Sequence, residues 1–142
     1  DNNNFVEQGD LFVSEIPIEW KESQIVIIEF SNYELNGTEI RYNQQGDEIY
    51  RGISSDNNTN RIMIGGLDDS QNVWEVTLLA TNLSGLELEY VDTSLGVFVT
   101  SINGMENSGL NGWVYSINAR YGTQSVDTAT IDSNSTVIWQ YK

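Results

Sequence analysis

The chain has no cysteine, no histidine and a single proline, Pro17. Each shortage removes a class of chemistry. Without cysteine there are no disulfides, no thiolate nucleophile and no thiolate metal site. Without histidine the commonest general base and the commonest neutral metal ligand are missing, so Ser-His-Asp and Cys-His devices are excluded. Basic residues are also scarce: six against 21 acids, for a net charge of −15. Such a surface repels phosphate backbones and anionic lipid, so nucleic acid is not an expected partner. No apolar run approaches the ~18 residues of a spanning helix, and no membrane span is expected.

What is present suits a β-rich fold. The 142 residues fit a single domain over 1–142, able to bury roughly two thirds of its unfolded surface without a metal or crosslink. Four Trp, seven Tyr and four Phe supply large rings for a core. The acidity has two readings: solubility through mutual repulsion, or a surface suited to saline or cation-rich surroundings. The chain opens on Asp1 rather than Met, which reads as a processed or a trimmed chain. Four Asn-x-Ser/Thr sequons, at Asn36, Asn57, Asn82 and Asn134, are glycosylation candidates. Composition alone would produce roughly three, so they do not by themselves argue for secretion.

Strand-like runs dominate. LFVSEI (11–16) and QIVIIEF (24–30) are rich in β-branched and aromatic residues. The second is apolar at nearly every position, the pattern of a strand buried on both faces. Pro17 between them marks an edge or a bend. Residues 31–66 read as hairpins, with turns at Asn36-Gly37 and Gln45-Gly46-Asp47 and a strand RIMIGG that sets Ile62 and Ile64 on one face. One helix is expected near residues 70–83. Asp68, Asp69 and Ser70 suit its N-cap, Val73, Val76, Thr77, Ala80 and Leu83 form its buried face, and Gly85 stops it.

Strands return at GLELEYV (85–91), VFVTSIN (97–103), GWVYSINA (112–119) and STVIWQY (135–141). In the third, Trp113, Tyr115 and Ile117 share a face; in the last, Val137, Trp139 and Tyr141 do. These two faces are expected to meet as one aromatic core. Strands, then helix, then strands predicts an α+β domain with one helix on a mainly antiparallel sheet.

Val99-Thr100-Ser101-Ile102-Asn103-Gly104, Gly112-Trp113-Val114-Tyr115-Ser116-Ile117-Asn118 and Thr136-Val137-Ile138-Trp139-Gln140-Tyr141 together resemble the phrases of the transcobalamin C-terminal-like family. That family is a domain of unknown function carried on secreted and cell-surface proteins. The resemblance runs over roughly residues 70–141. It departs at Ala119, where the family usually has Gly, and at Ser133-Asn134-Ser135, where Gly-Asp usually makes the last turn. It implies a β-grasp-like C-terminal half and, by analogy with animal cobalamin carriers, a corrinoid as a conceivable ligand. Fold transfers by resemblance better than ligand.

Several residues carry two readings. Trp113 and Tyr115 are core residues paired across the sheet with Trp139 and Tyr141, or they line a ligand pocket. Asn118 is a turn-former or a ligand contact. Asp68 and Asp69 cap the helix or form half of a calcium site, which Asp127 and Asp132 would have to complete. Lys21 and Lys142 are solvated charges or crosslinking lysines. Phe5, Leu11 and Val13, with Phe12 and Ile16 out of phase, give an N-terminal strand in segment 1–20 that is apolar on both faces. It completes its own sheet or that of a neighbouring subunit.

No catalytic constellation emerges, and a non-enzymatic role is expected. The leading expectation is a secreted or cell-surface structural or adhesion protein of archaeal or bacterial type, assembling into a homopolymer by N-terminal strand addition to the 24–141 core. The alternative is a small-ligand module for cobalamin. No cofactor is required by the first reading.

Overall fold

The computed structural model describes residues 16–30, 35, 37–54 and 60–142. The strand expected through Ile16 and the turn at Asn36 fall largely outside these residues. Where segment 1–20 is described it is not extended: Ile16 stands at a bend, and Ile18–Trp20 form one 3-10 turn entered from Pro17. Pro17 stands just ahead of the turn as its N-cap, at φ −56° and ψ 138°.

Among the described residues ten strands and one α-helix follow: β1 (Gln24–Phe30), β2 (Thr38–Tyr42), β3 (Glu48–Ser54), β4 (Asn60–Leu67), α1 (Val73–Ser84), β5 (Leu88–Thr93), β6 (Gly96–Ile102), β7 (Met105–Glu106), β8 (Trp113–Ile117), β9 (Arg120–Tyr121) and β10 (Thr136–Tyr141). Seven form a sheet in the order β2-β3-β4-β1-β10-β8-β9, and β5-β6-β7 form a second. All pairings are antiparallel except β1 with β10. The class is therefore α+β, as expected.

The near-continuous apolar run of β1 has a direct cause: it is the middle strand of seven. Val26, Ile28 and Phe30 enter the main core with Val73, Val76 and Ala80 of α1. Ile25 and Ile27 turn to the other face and join a smaller cluster with Trp20, Met63 and Ile138. The Trp20 ring lies so close over Gly65 that a Cβ there would sit 2.0 Å from it. Its indole N–H donates to the Glu48 carbonyl at 2.8 Å.

The order β4-β1-β10-β8, with α1 crossing between the two halves and the last strand parallel to the first, is β-grasp-like. The arrangement is not confined to the C-terminal half, because β1 and β4 are integral to it.

Two details of the helix correct the expectation. The N-cap is Asn72, whose Oδ1 accepts the Glu75 N–H at 2.8 Å while Glu75 Oε1 accepts the Gln71 N–H at 2.8 Å, a reciprocal capping arrangement. Asp68 and Asp69 are exposed residues leading into it. Ser70 is held instead by Gln24, whose amide exchanges hydrogen bonds with the Ser70 N–H and C=O at 3.1 and 2.8 Å. The buried face is Val73, Val76, Thr77, Ala80, Thr81 and Ser84, and Leu83 is exposed. At 3.6 residues per turn Leu83 points roughly 90° away from the centre of that face. Gly85 closes the helix in the left-handed region as expected.

Candidate functional site

The GWVYSIN strand sets the site. Alternation along β8 turns Trp113, Tyr115 and Ile117 to the main core and Val114 and Ser116 to the other face. Its register with β10 places Trp113 opposite Tyr141, Tyr115 opposite Trp139 and Ile117 opposite Val137. Trp113 and Tyr141 meet edge-on and Tyr115 and Trp139 meet at a tilt of 51°, with both centroid pairs 5.5 Å apart. Trp113 also meets Phe30 at 5.6 Å. Each polar ring atom is anchored: Trp113 Nε1 donates to Met105 O at 2.7 Å, and the Tyr115 hydroxyl to Gln124 O at 2.6 Å. Burial holds the Tyr115 phenol above its ordinary pKa, against the opposing pull of the bond to Gln124.

The second edge of β8 is only partly paired. Gly112 and Lys142 exchange both main-chain bonds, at 2.6 and 2.8 Å, and Asn118 N–H bonds to Thr136 O. Ladder alternation then directs the N–H and C=O of Trp113 and Tyr115 away from β10. On that side β9 pairs only with Ser116 and Ile117. Likewise β7 pairs with β6 only at Ser101 and Ile102. The remaining edges, Val97–Val99 of β6 and Trp113–Tyr115 of β8, flank a cleft of about 250 Å³.

One side chain spans the gap between these edges. Asn107 Nδ2 donates to Val99 O at 3.1 Å, and Asn107 Oδ1 accepts the Trp113 N–H at 2.9 Å. A carboxamide donating to one strand and accepting from the next does what a peptide group of an intervening strand would do. Val97 is met differently: its N–H donates to Asp127 Oδ1 at 3.0 Å and its C=O accepts from Val126 N–H at 3.4 Å. Those bonds hold the Asp127 carboxyl below its usual pKa, the Val97 N–H contributing most and the Ser125 hydroxyl also helping. Gly122 N–H meets Tyr115 C=O at 2.9 Å, while nothing among the described residues meets the Tyr115 N–H or the Trp113 C=O on this side.

The cleft has a mixed lining, with Asn107, Gln124 and Ser125 beside its apolar residues. Val97, Val99, Trp113 and Tyr115 line its inner side, and Phe98 and Val114 stand exposed at its mouth. Beyond the 122–124 strip lies a second depression of about 310 Å³ beside Tyr115, Arg120 and Tyr121.

The other sequence candidates lie elsewhere. Asn118 is at the tip of the β8–β9 hairpin with φ +50°, and its Oδ1 accepts the Thr136 N–H at 2.8 Å; it lines neither hollow. Asp68, Asp69, Asp127 and Asp132 do not gather, and among the described residues no three Asp or Glu side chains form a metal-holding group. Lys142 Nζ lies 5.3 Å from the Tyr121 ring centre. Asn82 on α1 and Asn134 before β10 are exposed. Asn36, Asn57, Phe5, Leu11, Phe12 and Val13 lie outside the described residues. Ile16 packs against the small cluster around Trp20. No helix among the described residues is long and apolar enough to cross a membrane.

Residues 75–142 match a family described as a domain of unknown function (DUF4430). The match covers slightly under half of the chain. It takes in most of α1 and β5 to β10, hence the whole cleft, and leaves out β1 and β4. No curated protein matches the chain.

Proposed function

We propose that this chain is a non-catalytic structural or adhesion protein, secreted or surface-borne, that joins other copies by strand addition. The observation that carries this reading is the Asn107 carboxamide bridging Val99 and Trp113. It acts as a one-residue substitute for strand pairing between two edges that no strand joins, and it leaves the Tyr115 N–H and Trp113 C=O without a partner among the described residues. Strand addition draws affinity from main-chain bonds and selectivity from side-chain pockets. Tyr115 N–H and Trp113 C=O offer the first kind, and the Val97, Val99 and Trp113 side chains offer the second. The resemblance to transcobalamin C-terminal-like domains supports an extracellular setting. The test is electron microscopy and light scattering of the full chain at neutral pH, across protein and salt concentration. Regular polymers support the reading; single particles under every condition overturn it.

A second reading, a small-ligand module with a corrinoid as candidate, is favoured by Trp113, Tyr115 and Trp139 lining the same cleft. Its volume falls short of the ~300–1,000 Å³ of sites that enclose drug-sized ligands. A corrinoid is larger still and would have to lie across the mouth. Tryptophan fluorescence titrated with cobalamin decides it, since an unchanged spectrum removes this reading.

A further inference from the structure

We infer that β2 is a docking edge for a second copy of this chain, paired antiparallel about a two-fold axis at Ile40. The contact lies toward the opposite end of the main sheet from β8. It goes beyond the strand-addition reading, since a two-fold pairing closes at two copies.

The edge is open. β2 is the outermost strand of the seven-stranded order and pairs with β3 alone. Gly37 C=O accepts the Ser54 N–H at 3.3 Å. Ladder alternation along the register then turns the main-chain groups of Glu39 and Arg41 to β3 and those of Thr38, Ile40 and Tyr42 outward. Nothing among the described residues meets these outward groups. Exposed strand edges are commonly guarded by a Pro, a Lys or a bulge. The sequence TEIRY has neither Pro nor Lys. The shift in register falls on β3, where Ile49 is the extra residue, so β2 itself runs regularly.

The order of side chains is self-complementary. Antiparallel pairing centred on Ile40 sets Glu39 of each copy opposite Arg41 of the other, and Thr38 opposite Tyr42. Every outward N–H and C=O of β2 then finds a partner. An axis at Thr38 or Tyr42 keeps the hydrogen-bond phase but sets Glu39 against Gly37, or Arg41 against Asn43. Only the Ile40 axis matches the charges, and opposite charges across a ladder attract. Arg41 is already held: its Nη1 donates to Ser84 O at 3.0 Å, its Nε to Glu39 at 3.2 Å, and its guanidinium lies 4.0 Å from the Tyr50 ring centre. Little side-chain freedom is left to lose on pairing. On the other face Ile40 and Tyr42 are 38% and 61% exposed, and the axis brings the two Ile40 side chains together away from water.

Net charge favours this end. Residues 38–54 hold three of the 21 acids and two of the six bases, a net of −1 in a chain of −15. Two such chains meet here with little local repulsion.

The test is sedimentation velocity of the full chain across concentration at physiological ionic strength. The wild type is expected to form a reversible dimer. Glu39→Arg sets Arg against Arg, and Arg41→Glu sets Glu against Glu, so each alone should associate about tenfold or more weakly. Their equimolar mixture restores opposite charges at both positions and should dimerise again. Ile40→Pro removes an outward N–H without touching the β3 ladder. It should be monomeric with an unchanged circular dichroism spectrum, and it serves if a charge variant fails to fold. The chain has no cysteine, so Ile40→Cys supplies a sole thiol. Cα atoms of a hydrogen-bonded antiparallel pair lie about 5.5 Å apart, within disulfide range. Mild oxidation should link Ile40→Cys into dimers and leave Tyr42→Cys, off the axis, unlinked. A monomeric wild type with Ile40→Cys unlinked overturns the inference. A dimer that survives Ile40→Pro, or a mixture no tighter than the single variants, overturns it as well. Polymers that survive every β2 variant overturn this contact and leave strand addition standing; dimers that never lengthen support this contact and overturn strand addition.

Discussion

The indole N–H of Trp139 donates to the hydroxyl of Thr77 at 3.0 Å, 62 residues earlier and buried in the main core. This bond ties β10 to the inner face of α1. Thr77 is fully buried and Trp139 nearly so. Thr77→Val keeps the shape and strands the indole donor away from water. The expected loss is about 1–3 kcal/mol of stability, read as a lower midpoint in urea unfolding at unchanged slope. An unchanged midpoint would show that the bond contributes nothing.

Asn107→Ala removes both bonds that hold Val99 to Trp113. Two partly buried edge groups lose their partner, for an expected cost of about 1 kcal/mol, since water can replace part of what the exposed Asn107 side chain supplied. The more specific expectation is local. The Trp113 amide should exchange with solvent faster, while amides of β1 keep their protection. Uniform acceleration across the sheet would instead mean global destabilisation.

Ala119 sits at φ +73° beside Asn118 at +50°. Both central residues of this two-residue hairpin turn are therefore left-handed, the type I′ geometry that favours Asn-Gly. Alanine tolerates this conformation poorly. Ala119→Gly is expected to stabilise by about 1 kcal/mol, less the small contact its methyl makes with the Trp20 cluster. A lower thermal midpoint would show that this contact outweighs the strain.

Asp127 has a carboxyl whose pKa is lowered by the Val97 N–H and the Ser125 hydroxyl. A folded-state pKa below the unfolded value means the contribution is present above the ordinary Asp value of about 3.9. It is lost as pH falls through the lower folded value. Asp127→Asn should therefore flatten the acid side of the stability profile below pH ~4, leaving the neutral region's slope unchanged. Identical profiles for the two proteins would refute this.

Much of the frame could be read from residue order alone. The apolar run of β1 announced a strand covered on both sides. The alternation in GWVYSIN and STVIWQY put the right residues on the faces that meet. The N-cap went to the wrong residue because four capping types, Asp68, Asp69, Ser70 and Asn72, stand nearly together, and Gln24, 46 residues away, decides among them by holding Ser70. The cleft was half legible. Trp113 and Tyr115 stood out as aromatic residues, although the sequence could not say that they serve a core and a cleft wall at once. Asn107 carried no signal, and Asp127 stood out only as a residue that could complete a calcium site. One is an ordinary turn-like asparagine and the other is one of 21 acids. Their roles exist only once β6 and β8 are brought side by side.

The parallel pairing of β1 with β10 joins residues 25–28 to residues 136–139. A sheet whose middle closes between such distant stretches has no local nucleus for that step, and long-range strand pairing of this kind folds slowly. At ribosomal rates of about 5–20 residues per second, β1 waits roughly 5–20 s for its partner to be synthesised. During that time its apolar edge is bare. The centre of the sheet therefore stays one strand short, with one edge of β1 unpaired, until β10 has been made.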